Sequence, residues 1–275
     1  MAAITGQTSI AVPAKVSDKI ISEAVAATGL SNLVNVQVAI PGETIQTYDL
    51  AYHDARFHNP TTDTKTVDAE TVKTIDVRMY DFYKIFKVAD STEAAVPNVI
   101  AQMQRDLPVV LGATLQKAIF PVSGLVEGNP WTEVLPTPVE VDLKTAAGWQ
   151  TAIDVKGYSG LLLADGTKTM LANALTEGSN VNPLSFGIDN GQLVGGKPAY
   201  FSDLGETALT DIAGVAGDWS KALLYIDPVL SMARVDSTTS YQMMLEDSVA
   251  FKVKWRVGFG VADKTRFKTF KQSAA

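Results

Sequence analysis

The chain has 275 residues, of which 46% are hydrophobic and 19% charged, with a formal net charge of −7; it can bury a full core as one large domain or two smaller ones, and its acidic balance argues against a protein whose main task is gripping nucleic-acid phosphates. It contains no cysteine, which excludes a disulfide framework, a thiolate nucleophile and a zinc–thiolate site. Met1 to Gly6 shows no charged or apolar leader pattern and no window approaches eighteen apolar residues, so neither secretion nor membrane spanning is expected.

Residues 1 to 12 are small, polar and β-branched without helical period, and read as an extended arm that needs a partner to become ordered. From Ser17 the spacing of Val16, Ile20, Ile21, Ala24 and Val25, closed by Thr28-Gly29, predicts a short amphipathic helix. Leu33 to Ile40 alternates apolar and polar residues as a strand until Pro41-Gly42 turns the chain. Ile45 to Phe57 is β-prone, Asn59 to Thr64 is turn chemistry, and Lys73 to Tyr80 alternates with Ile75, Val77 and Met79 on one face, which predicts one long hairpin over residues 43 to 80. With about fifteen residues per strand it would extend about 45–50 Å, against a radius of gyration of roughly 19 Å for a compact chain of this length. A lone two-stranded ribbon is marginal in water, so its face with Tyr48, Leu50 and Tyr52 is expected to lie on another molecule; an intramolecular meander is the alternative.

Asp90-Ser91-Thr92-Glu93 can cap a helix start, Pro97 suits its first turn, and Val99, Ile100, Met103, Leu107, Leu111, Leu115 and Ile119 recur at three or four. This predicts a long helix bent at Pro108. The Pro- and Gly-rich stretch from Pro121 to Pro138 reads as a domain crossing. Beyond it, a helix over Lys144 to Ile153, a buried strand within Tyr158 to Gly166 and a helix over Thr167 to Leu175 imply a small α/β lobe ending near Asp227-Pro228. Finally, Ser248 to Val261 places Val249, Phe251, Val253, Trp255, Val257, Phe259 and Val261 on one face and Lys252, Lys254 and Arg256 on the other, the period-two pattern of a half-buried strand. Gly258 and Gly260 leave the second face without bulk, so a neighbouring backbone can come close there.

Candidate chemistry is sparse. His53 and His58, the only histidines, fall on opposite faces of a strand and make a poor chelate despite Asp49, Asp54 and Asp63 nearby. Gly157-Tyr158-Ser159-Gly160 lacks the glycine spacing of a nucleophile elbow, and Gly195-Gly196-Lys197 is followed by proline, not the Ser or Thr of a phosphate loop. Glu246 and Asp247 could serve as acid and base but are better read as a solvated turn or a salt bridge. The face of Lys252, Lys254 and Arg256 could meet DNA phosphates, yet three charges on an acidic chain give weak, salt-sensitive binding, so carboxylates of a neighbour are the preferred partners.

The segments Gly217-Asp218-Trp219-Ser220, Leu223-Leu224-Tyr225 and Leu245 to Asp263 together resemble the closing part of tailed-bacteriophage major capsid proteins of the Hong Kong 97 fold. Leu193 to Ser202 is similar to that family's glycine- and proline-led entry into a strand of its axial domain, and the likeness extends loosely over nearly the whole chain. It implies an α+β fold divided as arm, first helix and strand (1–42), extended hairpin loop (43–81), peripheral domain with a spine helix (82–135), inserted axial α/β domain (136–228) and returning peripheral strands (229–275). It implies a non-enzymatic structural protein without cofactor or metal, a late product assembled in the bacterial host cytoplasm. As hexamers and pentamers, the subunits would enclose double-stranded DNA in an icosahedral shell, without sequence-specific binding or contact with a membrane. A scaffolding protein, a portal and a decoration protein are its expected partners. The residues expected at subunit contacts are Tyr52, Arg56, Phe57 and Lys65 on the hairpin, with Lys252, Lys254 and Arg256 facing acids.

Some members weld subunits through a lysine of the loop and an asparagine of the next domain. Lys65 and Lys73 could supply the amine, but Asp236 to Val261 holds no asparagine, so no cross-link is expected. The sequence also lacks the long charged helical N-terminal segment that scaffolds some relatives. The alternative reading keeps the fold as an encapsulin-type bacterial compartment loading protein cargo; the arm at residues 1 to 12 favours a virus over it. A small-molecule hydrolase is a third class, disfavoured by the two histidines.

Overall fold

The computed structural model describes residues 8–10, 14–27, 30–38, 45–51, 71–91, 99–176, 192–204, 209–238 and 240–273. In chain order its elements are β1 (Thr8–Ile10), α1 (Ala14–Ala27), α2 (Leu30–Leu33), β2 (Asn35–Val38), β3 (Ile45–Ala51), β4 (Thr71–Val77), β5 (Tyr80–Ala89), α3 (Val99–Ile119), β6 (Val139–Val141), α4 (Ala146–Ile153) and β7 (Gly160–Ala164). There follow α5 (Lys168–Thr176), β8 (Gln192–Val194), β9 (Lys197–Ser202), β10 (Gly214–Gly217), β11 (Ala222–Ile226), β12 (Ser231–Val235), α6 (Tyr241–Leu245), β13 (Ser248–Val261) and β14 (Phe267–Gln272). The fold is mixed α+β, as the sequence predicts.

Two sheets carry the chain. The first runs β1-β12-β13-β11-β2, with β5 also paired to β13; the second runs β6-β14-β10-β7-β9-β8. β13 is the seam of the first sheet because its period-two pattern holds for its whole length. Val249, Phe251, Val253, Trp255, Val257, Phe259 and Val261 are all buried, whereas Lys252, Lys254 and Arg256 are only part-covered. Each such apolar side chain contributes about 1.5–3 kcal/mol on burial, so this face alone commits the strand to the core. The Trp255 indole N–H donates to the Asp227 carbonyl at 3.0 Å, satisfying its one polar atom.

α1 buries Ile20, Ile21, Ala24 and Val25 against α3, whose own stripe includes Leu107, Leu111, Leu115 and Ile119. Leu230 N–H donates to the buried Ser17 hydroxyl at 2.8 Å, tying α1 to the lead-in of β12. α3 runs through Pro108. In the second sheet all five residues of β7 are buried, and Thr145 caps α4 by accepting from Gly148 N–H at 3.1 Å. Gly195 and Gly196, at φ 58° and 75°, form the two-residue turn between β8 and β9, where both positions require the left-handed region.

Three expectations need correction. Part of the arm has its partner in the same chain, since Thr8–Ile10 pairs with Arg234, Ala233 and Met232. The strand expected over Leu33 to Ile40 starts only at Asn35, because Leu30 and Leu33 bury themselves on a helical turn; β2 adds parallel to β11 as an edge and leaves Val38 68% exposed, and residues 39 and 40 lie outside the described residues. Strand-to-sheet assignment also crosses the expected segment limits twice: β11, expected with the inserted lobe, pairs with β13, and β14, expected with the returning strands, lies between β6 and β10. Pairing is a long-range choice that local pattern does not encode.

Candidate subunit-interaction surfaces

β3 and β4 form a two-stranded antiparallel ribbon, registered from Ile45 opposite Val77 to Ala51 opposite Thr71, and no third strand joins it among the described residues. Tyr52, Arg56, Phe57 and Lys65, with His53 and His58, lie outside the described residues, as do the side chains of Tyr48 and Leu50. The ribbon is rooted on β13. Val77 is buried with Leu223 and Tyr225 in a small cluster distinct from the main core, and Met79 packs against it. β4 ends at Val77 and Tyr80 already begins β5, so the hairpin proper is shorter than the expected span to residue 80.

β5 pairs with β13 over ten positions, from Ala89 opposite Ser248 to Tyr80 opposite Val257. That pairing places Asp81 directly opposite Arg256, and its carboxylate meets Arg256 Nε at 3.0 Å and Lys254 Nζ at 2.9 Å. The bond from Lys254, against the opposing push of burial and with a lesser contribution from Arg256, holds the Asp81 carboxyl below its ordinary value. Lys252 sits 5.5 Å from the centre of the Tyr83 ring and has no carboxylate partner among the described residues. The three expected basic contact residues therefore share one face, two of them held by an acid of their own chain. Glu246 pairs with Lys87, and Asp247 adopts φ 42° at the tight turn into β13, where its carbonyl accepts from Asp90 N–H at 2.8 Å.

Two motifs that the sequence presents separately meet at the passage between the sheets. Trp219 N–H donates to the Ser159 hydroxyl and its indole N–H to the Gly160 carbonyl, both at 2.9 Å. Arg266 Nη1 donates to Asp218 at 3.0 Å, and the Ser220 hydroxyl to the same carboxylate at 2.6 Å. Phe267 stands edge-on to Trp219 at 5.5 Å. The polar groups named here are engaged with backbone or with one another, which suits a joint and not a reaction centre. Nearby, burial pushes the Tyr158 phenol well above its ordinary value, and it donates to the Val194 carbonyl at 2.9 Å.

Sequence reasoning missed α6, which buries none of its residues and leaves Tyr241 72% and Leu245 65% exposed with Met244 between them. Its signal was available: Tyr241-Gln242-Met243-Met244-Leu245 is too short to fold back on itself yet almost wholly apolar. Among the described residues no three acidic, histidine or cysteine side chains converge as a metal cluster, and no helix is long and apolar enough to cross a membrane.

No family model matches the chain, and no curated protein matches it. Solved structures do. A chain from Gordonia phage Cozz is 18% identical with a TM-score of 0.63, covering 90% of this chain and 87% of its own. One from Mycobacterium phage Ogopogo is 17% identical with a TM-score of 0.62, covering 99% and 94%. The capsid of a native GTA particle computed with C5 symmetry is 12% identical with a TM-score of 0.56, covering 100% and 96%. The chain shares its fold with these phage chains and with the GTA capsid.

Proposed function

We propose that this chain is a major capsid subunit of a tailed bacteriophage, self-assembling through hexamers and pentamers into an icosahedral shell around double-stranded DNA. The observation that carries the reading is the extent of the likeness: it takes in 99% of this chain and 94% of the Ogopogo phage chain, and 100% and 96% for the native GTA capsid, so it spans nearly the whole of each fold. In this reading residues 1–42 form the arm and 43–81 the extended loop. Residues 82–135 and 229–275 form the peripheral domain with α3 as its spine, and 136–228 the axial domain, with β11 and β14 exchanged between them.

The contacts divide by chemistry. Tyr52, Arg56, Phe57 and Lys65 carry the loop onto a neighbour. Asp81 holds Lys254 and Arg256 in place, which leaves Lys252 to receive a neighbour's carboxylate, while α6 offers apolar area that its own chain does not cover. Each contact is modest, but a closed lattice makes every subunit bind through several at once, so that avidity replaces single-site affinity. A separate scaffolding protein, a portal and a decoration protein complete the particle, in the virion and in the host cytoplasm where it forms.

Electron microscopy of the overexpressed chain, followed by nuclease and protein analysis of particles from infected cells, tests the proposal. Closed shells containing double-stranded DNA support it. Shells loaded with protein cargo would replace it by the compartment reading, and a stable monomer that never closes would reject both.

A further inference from the structure

On the outer face of β13 the basic run Lys252, Lys254, Arg256 gives way to Gly258 and Gly260, and their partners on β11 are large: Leu223 stands opposite Gly260 and Tyr225 opposite Gly258. The result is a notch in an otherwise filled sheet surface. Val77, the last residue of β4, occupies it. A Cβ on Gly260 would lie 2.5 Å from Val77 Cγ2, and one on Gly258 would lie 3.0 Å from both the Arg78 carbonyl oxygen and Met79 Sδ and 3.2 Å from Val77 Cγ1. Only Arg78 and Met79 separate this seat from β5, which is held along its length by β13 and at its start by the Asp81 pair with Arg256.

We infer that the direction in which the β3–β4 ribbon leaves the subunit is set chiefly by Val77, seated with Met79 beside it in the socket that Gly258 and Gly260 open on β13. With β5 fixed, the dihedral angles of residues 78 and 79 are the freedom left to the ribbon, and the seat removes it. The cluster is small and lies across the sheet from the main core, so it opens without global unfolding, as segments with few buried contacts do. A ribbon aimed in advance loses less freedom when it docks than one that must be ordered on arrival. Its use in assembly rests on the shell reading; the socket itself does not.

The test uses the full chain held as free subunits. Gly260→Ala puts a methyl against Val77 and expels it, and Val77→Ala empties the seat. The double variant lets a smaller side chain settle against the added methyl. Because the chain has no cysteine, Asp76→Cys and Asp211→Cys provide the sole pair of spin-label sites. Each single variant is expected to broaden the distance distribution and to speed amide exchange over residues 71–77 on the order of tenfold, and the double variant to recover much of both. Val249→Ala, fully buried on the opposite face of the same strand, lowers global stability while leaving the distribution narrow. Single variants that leave distance and exchange as in the parent overturn the inference, as does broadening by Val249→Ala of equal size. A parent chain that shows the socket effects but forms no shells would sink the assembly reading alone.

Discussion

Excising the ribbon tests whether it belongs to its own globule or, as proposed, works outside it. Ile45 and Val77 are register partners, so their Cα atoms are about 4.5–5.5 Å apart and an Asn-Gly turn can join them when residues 46–76 are removed. Val77 stays and keeps its cover on Leu223 and Tyr225. What is lost is the pairing of a two-stranded ribbon, marginal in water, and the expected cost is about 1 kcal/mol, or roughly 2–4 °C in the unfolding midpoint for a chain of this size. Had the excised stretch packed on its own subunit, its removal would strip several apolar side chains worth about 1.5–3 kcal/mol each, comparable with a whole stability of about 5–15 kcal/mol. Circular dichroism melting should therefore find a folded variant, and sedimentation velocity should find it unable to form shells. A variant that no longer folds, or one that builds particles in normal yield, refutes the reasoning.

Trp255→Ala removes a buried side chain that stands edge-on to Phe82 and leaves the Asp227 carbonyl without its donor; urea unfolding should register a loss of about 3–5 kcal/mol. Asp81→Asn tests the paired carboxylate: its folded pKa is depressed, so its contribution is present above the unfolded carboxylate value near 4 and fades as pH falls through the folded value. With the pair half-exposed and screened, the parent should exceed the variant by under about 1 kcal/mol at pH 6 in low salt, the gap closing below about pH 4. Lys252→Glu should leave the melting midpoint within about 1 °C of the parent, as surface changes usually do, yet lower particle yield in light scattering. Gly217→Ala sets a Cβ 2.3 Å from Phe267 Cδ1 and should cost about 1–3 kcal/mol, with Phe267→Leu in the same chain restoring part of it.

How much was legible follows from the range of each signal. β13 and α3 announce themselves because one period persists over 14 and 21 residues respectively. β14 does not: Phe267-Lys268-Thr269-Phe270-Lys271-Gln272 reads as a strand, but nothing in it names β10 and β6 as neighbours. The glycines at 258 and 260 signalled a close approach and left its occupant open; Val77 emerged only once β4 and β13 were placed together. Likewise Asp81 and Arg256 become partners only through the antiparallel register of β5 on β13, which turns a face expected to meet a neighbour's acids into one that its own chain partly neutralises. β2 misled because an edge strand need not alternate its burial.

The seams of both sheets are made late. β13 pairs with three strands of the first sheet, β5, β11 and β12, and β14 sits between β6 and β10 in the second, so residues 248–272 complete both. While a nascent chain is still short of that stretch on the ribosome, β5 lacks its partner, β11 has only β2 and β12 only β1 to pair with, and β10 lacks one flank. In the proposed shell, synthesis order would thereby withhold an assembly-competent surface from half-made polypeptides.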